Sequence, residues 1–381
     1  MSFKTKMIPL AGAIAFAFAG SAAAQEMVVK IGHVGPVSGA IAHLGKDNEN
    51  GAKMAIEELN AKGVSIGGKK VKFELLAEDD GGDPKQGTTV AQKLVDAKVN
   101  GVIGHLNSGT TIPASKIYND AGIPQISPSA TAVPYTNQGF KGAFRVVAND
   151  GQLGGTLGRY AVQISKAKKI AVIDDKTAYG EGVAKEFMKG AKGKGAEIVV
   201  QEHTTDKSND FAAILTTIKA KQPDLIFFGG MDAVAGPMLR QMKALGVNAK
   251  FMGGDGICTA DLVKLAGDGI GEGQVVCAEA GGVLDAQKKI NEDWKAAYKK
   301  KFGVEVQIYA PYVYDAVMTM VEAMKQANSA EPAKYLPVLK KIKHKGVTGD
   351  IAFDDKGDIK DGTLTLFTYK AGKREQLTVT K

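Results

Sequence analysis

From Met27 onward the chain repeats one phrase: an apolar strand, a turn rich in Gly or Asp, then an amphipathic helix. That alternation restricts the fold more than any other feature, because consecutive strand–helix units build a mainly parallel sheet covered by helices on both faces. Residues 28–34 read as a first strand, and 45–62 as a helix with Ala52, Ala55, Ile56 and Leu59 on one face and Gly63 as its stop. Residues 71–77 are a second strand. Asp83 and Pro84 read as N-cap and first residue of a helix reaching residue 97. Residues 101–106 and 123–127 are a third and a fourth strand. The phrase then restarts, with strands at 169–174, 197–202, 224–229 and 250–253. A long helical stretch, 286–345, follows, and the chain ends in strands around 351–353, 363–369 and 376–379. Two consecutive units of this kind predict two lobes. The late strands must complete sheets already begun, so the chain crosses between lobes more than once. No Pro- or Ser-rich linker separates the halves, which favours a hinge of plain crossings over a flexible tether.

The N-terminus reads differently. Lys4 and Lys6 precede an almost wholly apolar run, 7–19, and Ser21, Ala22, Ala23 and Ala24 supply small residues at the spacing of a signal-peptidase site. The run is too short for a membrane span and no second one follows. A buried core helix is the competing reading, and it lacks any polar patterning. Residues 1–24 are therefore expected to be a cleaved secretory signal, placing the product outside the cytoplasm. No Cys follows the cleavage site, so a lipid anchor is not expected. Removing 24 of 381 residues leaves 357, a length that splits into two domains of about 150–200 residues.

The formal charge of +8 includes Lys4 and Lys6. The remaining basic residues are spread along polar helix faces and mixed with acids. The densest run, at Lys299, Lys300 and Lys301, reads as a solvated helix end, so no nucleic-acid partner is expected. Two cysteines, Cys258 and Cys277, are an even pair in an oxidising compartment. That suggests a disulfide, against the alternative of two buried free thiols. No histidine lies at ligand spacing from either, and neither a metal site nor a cofactor is expected.

In open parallel sheets, ligands bind at the carboxyl ends of strands. Here the first strand runs into Gly35-Pro36-Val37-Ser38-Gly39, the third into Asn107-Ser108-Gly109-Thr110-Thr111 and the fourth into Ser129-Ala130-Thr131. In the second half the strands end at Asp174-Asp175, at Gly229-Gly230-Met231-Asp232 and at Gly253-Gly254-Asp255-Gly256. Hydroxyls and free N–H groups leading into helices bind a carboxylate or phosphate. Carboxylates on the opposite wall complement them, and together the two walls suit a zwitterion. Each residue alone reads equally well as a helix cap or a turn residue. Their joint position on facing strand ends carries the functional reading.

Enzyme motifs are not supported. Residues 63–70 nearly fit a phosphate-binding loop but lack the final Ser or Thr and lead from helix into strand, the reverse order. No G-x-G-x-x-G follows the first strand, no G-x-S-x-G elbow leads from a strand into a helix, and no H-E-x-x-H occurs. His33, His43, His105, His203 and His344 are scattered. His105 sits beside the proposed site, where a hydrogen-bonded structural role competes with that of a catalytic base. Nucleophile, base and orienting group are not assembled, so the chain is not expected to be an enzyme.

From Met27 to the C-terminus the chain resembles the branched-chain amino acid binding proteins of ABC transporters, the leucine/isoleucine/valine receptor family. The matching segments are Asp79-Asp80 with Asp83-Pro84-Lys85-Gln86, Val102-Ile103-Gly104-His105-Leu106-Asn107-Ser108, and Ser127-Pro128-Ser129-Ala130-Thr131. Further on come Tyr179-Gly180-Glu181-Gly182, Phe251-Met252-Gly253-Gly254-Asp255-Gly256 and Phe353-Asp354-Asp355-Lys356-Gly357-Asp358. The resemblance implies an α/β, type I periplasmic-binding-protein fold: two doubly wound parallel-sheet lobes, 25–149 with 279–356 and 150–278 with 357–381, joined by three crossovers. On that pattern Ser108 and Thr131, with N–H groups near Asn107 and Ala130, hold a ligand α-carboxylate. Asp255 holds the α-ammonium, helped by Thr131 and the Ser129 carbonyl. Tyr179 lies on the second lobe's face. Leu44, Met231 and Tyr314 shape the side-chain pocket, and Asp150 lies close to the first crossover.

Two departures bear on specificity. Leucine receptors often carry Glu where this chain has Asp255; the shorter acid requires the ammonium to sit deeper or a water to bridge. Some relatives hold a disulfide near the cleft at the positions of Gly82 and Asn107. The implied partners are a free amino acid and the permease subunits of an ABC transporter, with the protein itself a monomer. The apolar pocket positions favour branched-chain side chains, with other neutral amino acids next. Aromatic acids rank lower because they would leave Asp255 unpaired. A sensor domain built on the same closing fold is the competing class.

Overall fold

The computed structural model describes Met1 and residues 26–380. The signal-peptide reading lies outside the described residues. The first part of the chain runs β1 (Met27–Gly35), α1 (Ala42–Ala61), β2 (Ser65–Ile66), β3 (Lys69–Asp79), α2 (Pro84–Asp96), β4 (Gly101–Gly104), α3 (Ser108–Asp120), β5 (Gln125–Ser127), α4 (Pro134–Asn137) and β6 (Ala143–Arg145). It forms a six-stranded sheet in the order β2-β3-β1-β4-β5-β6. All neighbours are parallel except the β2–β3 hairpin, which is where the phosphate-loop look-alike turns back on itself.

The second part runs α5 (Asp150–Gln163), β7 (Lys169–Asp174), α6 (Ala178–Lys192), β8 (Glu197–His203), α7 (Ala212–Lys221), β9 (Leu225–Gly229), α8 (Asp232–Ala244), β10 (Lys250–Gly253), α9 (Leu262–Ala266) and β11 (Val275–Glu279). The chain continues through α10 (Asp285–Phe302), α11 (Ala310–Gln326), α12 (Pro332–Leu339), β12 (His344–Lys345), β13 (Asp350–Ile351), β14 (Leu364–Lys370) and β15 (Lys373–Thr380). A seven-stranded sheet results, in the order β15-β14-β11-β10-β9-β7-β8, parallel from β8 to β11 and antiparallel at β14 and β15.

The backbone passes from the first sheet to the second after β6. It returns after β11, so that α11 packs on α1, β4 and β5, and it passes back again into β14. The three passages are tied together: Ala148 N donates to Ala280 O at 2.8 Å, and Gln152 Nε2 donates to Gly362 O at 2.6 Å. Fully buried strand residues such as Val29, Ile31, Ile170, Val172 and Phe227 explain the near-continuous apolar strand pattern, since both faces of each sheet are covered. Helices α5 and α6 pack at backbone distance. A Cβ on Gly158 would stand 2.3 Å from Phe187 O, and one on Gly190 would stand 2.4 Å from Gly155 O, so only glycine fits.

The structure departs from the sequence reading in the late helices and in four short strands. The single helical stretch over 286–345 is three helices: α10 ends at Gly303 (φ 72°), and prolines near the starts of α11 and α12 open new ones. Strands β2, β6, β11 and β12 were not anticipated. Each is short, and β11 depends on flanking β10 and β14 for its pairing.

Cys258 and Cys277 form a disulfide with a Cα–Cα separation of 5.3 Å, tying β11 to the turn after β10. Replacing both by Ala is expected to cost about 3 kcal/mol on the chain-entropy model. That corresponds to a Tm lower by roughly 6–12 °C in a thermal melt, and an unchanged melt would show that the bridge adds nothing beyond packing.

Candidate functional site

The first wall is built by two strand ends of the first sheet. Past β4 the chain enters α3 at Ser108. Its N-cap, Asn107, makes no side-chain cap bond; its carbonyl accepts from Thr110 N and Thr111 N, so the N–H groups of Ser108 and Gly109 are the ones placed for another acceptor. Past β5, Ser127 Oγ accepts from Ala130 N at 2.9 Å and folds the next residues into a turn. Ser108 Oγ accepts from Ala132 N at 3.2 Å, which joins the two strand ends. Ser129 Oγ lies 3.5 Å from Asn48 Nδ2. Thr131 is fully buried, and its hydroxyl makes no well-formed hydrogen bond among the described residues. Arg145 braces the turn from behind, donating from Nη1 to the carbonyls of Ala130 and Ala132 at 3.0 Å each.

The second wall is built on β10 of the other sheet. Gly253 and Gly254 lead into a short 3₁₀ turn whose first residue is Asp255, 1% exposed. Tyr179 Oη donates to Asp255 Oδ1 at 2.8 Å and accepts from Gly256 N at 2.9 Å. Tyr309 Oη donates to Asp255 Oδ2 at 2.9 Å. Burial pushes the Asp255 carboxyl up to about 6, with the two phenols pulling the other way. Met231 closes this corner: a Cβ on Gly256 would stand 2.8 Å from its Sδ.

Asp150 connects the walls. It is the first residue of α5 and fully buried, and its N–H donates to Thr131 O at 2.8 Å. Neither carboxylate oxygen makes a well-formed hydrogen bond among the described residues. Oδ2 stands 3.0 Å from where a Cβ on Gly182 would be, close to the start of α6. Burial, and then the charge of Asp255, push its carboxyl up to about 8, which the nearby Thr131 hydroxyl only partly offsets.

The structure thus brings Ser108, Ser129, Ala130, Thr131 and Asp150 together on one side, and Asp255, Tyr179 and Met231 on the other. Ala130 takes part through its backbone. Asn107 lies beside Gly82, with its Oδ1 buried and unpartnered. Leu44 is buried in the first turn of α1. Tyr314 is a correction: its hydroxyl donates to Glu58 at 2.8 Å and its ring packs on Trp294, within the α1–α10–α11 layer. It lies about one helical turn beyond the start of α11, on the face turned toward α1.

The residue that reaches the cleft instead is Tyr309, just before α11. Asp47 holds it there, accepting the N–H groups of Gln307, Ile308, Tyr309 and Ala310 at 2.9–3.2 Å. No periodic signal marks a residue in a connection, so sequence reasoning passed over it. His43, in the first turn of α1, was read only as one of five scattered histidines, because its partner lies 189 positions away. Its Nε2 lies 2.7 Å from Asp232 Oδ2, which also accepts from Thr259 Oγ1 at 2.6 Å, so α1 on one sheet is bonded to α8 on the other.

His105 holds no reactive position. Its Nδ1 pairs with Asp80 at 2.9 Å and its Nε2 with Tyr118 at 3.0 Å, all out of reach of solvent. Among the described residues no cluster of His, Cys, Asp and Glu suited to a metal occurs, and no helix is long and apolar enough to cross a membrane.

Comparison with known proteins agrees with this architecture. The periplasmic binding protein family matches residues 28–374. The Leu/Ile/Val-binding protein homolog 1 of Brucella abortus (strain 2308) is 38% identical over 379 residues, 97% of each chain. The leucine-specific-binding protein of Salmonella typhimurium is 37% identical over 375 residues, 97% of this chain and 98% of its own. Among solved structures, the branched-chain amino acid transporter substrate-binding protein of Streptococcus pneumoniae, in complex with isoleucine, superposes with a TM-score of 0.82. It is 28% identical and covers 93% of this chain and 99% of that one. With two mainly parallel sheets, three passages between them and strand-end turns facing one another across a cleft, the chain belongs to the periplasmic binding protein family and has its type I fold.

Proposed function

We propose that this protein captures a free amino acid, leucine, isoleucine or valine first, and delivers it from the periplasm to the permease of an ABC transporter. The lobes, 25–149 with 279–356 and 150–278 with 357–381, close on the ligand about the three crossings. The observation that carries this reading is Asp255: a buried carboxylate addressed by tyrosines from both sides of the cleft, opposite a wall rich in hydrogen-bond donors. In this reading the α-carboxylate sits on Ser108, Thr131 and the first-turn N–H groups of α3. The α-ammonium sits on Asp255, with the Thr131 hydroxyl and the Ser129 carbonyl. Met231 and Leu44 face the side chain. The relatives named for leucine, isoleucine and valine, and the bound isoleucine of the pneumococcal protein, support a branched-chain ligand.

A thermal-shift screen of refolded protein against the twenty protein amino acids and several aromatic acids tests it. A ligand at about 100 times its Kd adds roughly 2.7 kcal/mol of stability. A shift confined to leucine, isoleucine and valine supports the reading. A shift only with acids lacking an ammonium overturns the Asp255 role.

The His43–Asp232 contact should favour the closed form. Burial opposes the charged imidazole, but Asp232, with Asp261 and Asp47 farther off, outweighs it and raises the His43 pKa. A raised imidazole pKa means the contribution is present at acidic pH and is lost as pH rises through the raised value. His43→Ala is expected to weaken leucine binding by about fivefold in acidic buffer, near 1 kcal/mol, and by less in alkaline buffer. Calorimetry in both buffers checks it; a pH-independent loss would leave only packing.

A further inference from the structure

Two buried acids share the cleft, and no free cation accompanies them among the described residues. The Tyr179 hydroxyl is bonded to Asp255 and also feels the charge of Asp150. The groups around Asp150 are the Thr131 hydroxyl, Arg145 from β6, Glu186 from α6, and Asp255 itself. The groups around Asp255 are Tyr179 on α6, Tyr309 before α11, and its own turn's N–H groups. Arg145 is the one cation in this set, and its guanidinium is committed to Asp358, Thr136 and two carbonyls. The start of α5 favours a charged Asp150. Burial, with neither oxygen in a well-formed hydrogen bond and the charge of a second acid close by, works against it and outweighs the Thr131 hydroxyl.

Two carboxylates in so dry a site oppose each other's charge. An arriving ammonium supplies the missing positive charge. We infer that Asp150 and Asp255 act as one coupled acid pair that holds a proton in the free protein and releases it when the ligand's ammonium enters. The inference rests on the amino-acid reading of the site and gives it a consequence: ligand capture is linked to proton release, and uptake favours the alkaline side.

The test is calorimetry of L-leucine binding at neutral pH in buffers of different ionisation enthalpy. It is run on the mature protein and in a His43→Gln background, which removes the imidazole's own proton exchange. Between about 0.5 and 1 proton should leave per leucine bound, and Asp150→Asn should bring that number close to zero. Binding with no release in the His43→Gln background overturns the inference and leaves the function intact. No binding of leucine at all overturns the function reading on which it rests.

A ligand-free measurement decides separately on the acid pair. A carboxyl whose folded-state pKa is raised contributes stability at low pH that is lost as pH rises toward the raised value. The free protein should therefore lose melting temperature from mildly acidic to mildly alkaline pH, and Asp150→Asn should lose less. Identical pH profiles for the two would overturn the pair.

Discussion

Asp255→Ala is expected to weaken leucine binding by several hundred-fold or more while leaving the fold in place. A buried cation that loses its carboxylate is left with an uncompensated charge, at a cost of about 3–5 kcal/mol. The ligand's α-ammonium is that cation. Asp255 is held by Tyr179 from one side of the cleft and by Tyr309 from the other, so the substitution also removes a bond between the two lobes. The fold has less to lose. Burial raises the Asp255 carboxyl, so its charged form works against the free protein above about pH 6, and its removal relieves that strain. The two phenols left without an acceptor offset part of the gain. A melt within a few degrees of wild type, together with calorimetry showing no saturable heat, is the expected pair of results. Near wild-type affinity in the folded variant would remove Asp255 from the site. Ser108→Ala should weaken binding far less, because the N–H donors of α3 stay where they are.

The contrast between Asp255 and Tyr309 shows what sequence alone could and could not yield. Asp255 follows an apolar strand and a Gly-Gly pair, so its place at a strand's carboxyl end could be read from pattern. The same holds for Ser108 and Thr131, and for strands β7 and β10, whose apolar runs fix their limits. Asp83 and Pro84 marked the start of α2 because capping chemistry is local, and the Asp83 side chain does accept from Gln86 N at 2.9 Å. Tyr309 follows no local rule. It reaches the cleft because Asp47, 262 positions earlier, collects the N–H groups around it. For Tyr314 the family pattern gives a position and not a direction, and a helix turns each residue by about 100° from the last. His43 and Asp232 are 189 positions apart, and only the closing of one lobe on the other brings them together. Local chemistry therefore revealed the strand ends, while the contacts that join the lobes needed the fold.

Arg145→Met is expected to lower stability by about 3–5 kcal/mol, a Tm drop of roughly 6–20 °C, and to weaken leucine binding as well. Arg145 is fully buried. Its Nε and Nη2 lie 2.8 and 2.7 Å from Asp358 Oδ1, Nη2 also donates to Thr136 Oγ1, and Nη1 holds the carbonyls of Ala130 and Ala132. Asp358 in turn accepts from Asn149 Nδ2 at 2.8 Å, so one ion pair links the turn bearing Thr131 to two of the three passages between the sheets. Methionine fills much of the volume but leaves the half-buried Asp358 without its cation and two buried carbonyls without donors. Lysine retains the charge yet cannot form the fork that serves four acceptors at once, so Arg145→Lys should recover only part of the loss. Adding Asp358→Leu to Arg145→Met should recover more, because two apolar groups replace a broken pair, and the coupling in that double-mutant cycle should fall at about 1–3 kcal/mol. Acid gives an independent check. Burial raises the Asp358 carboxyl but Arg145 outweighs it and holds it below its ordinary range, so its contribution is present above that range and is lost as pH falls through the lowered value. The gap in melting temperature between wild type and Arg145→Met should therefore narrow on acidification. A constant gap would mean that the arginine acts through packing rather than through its charge.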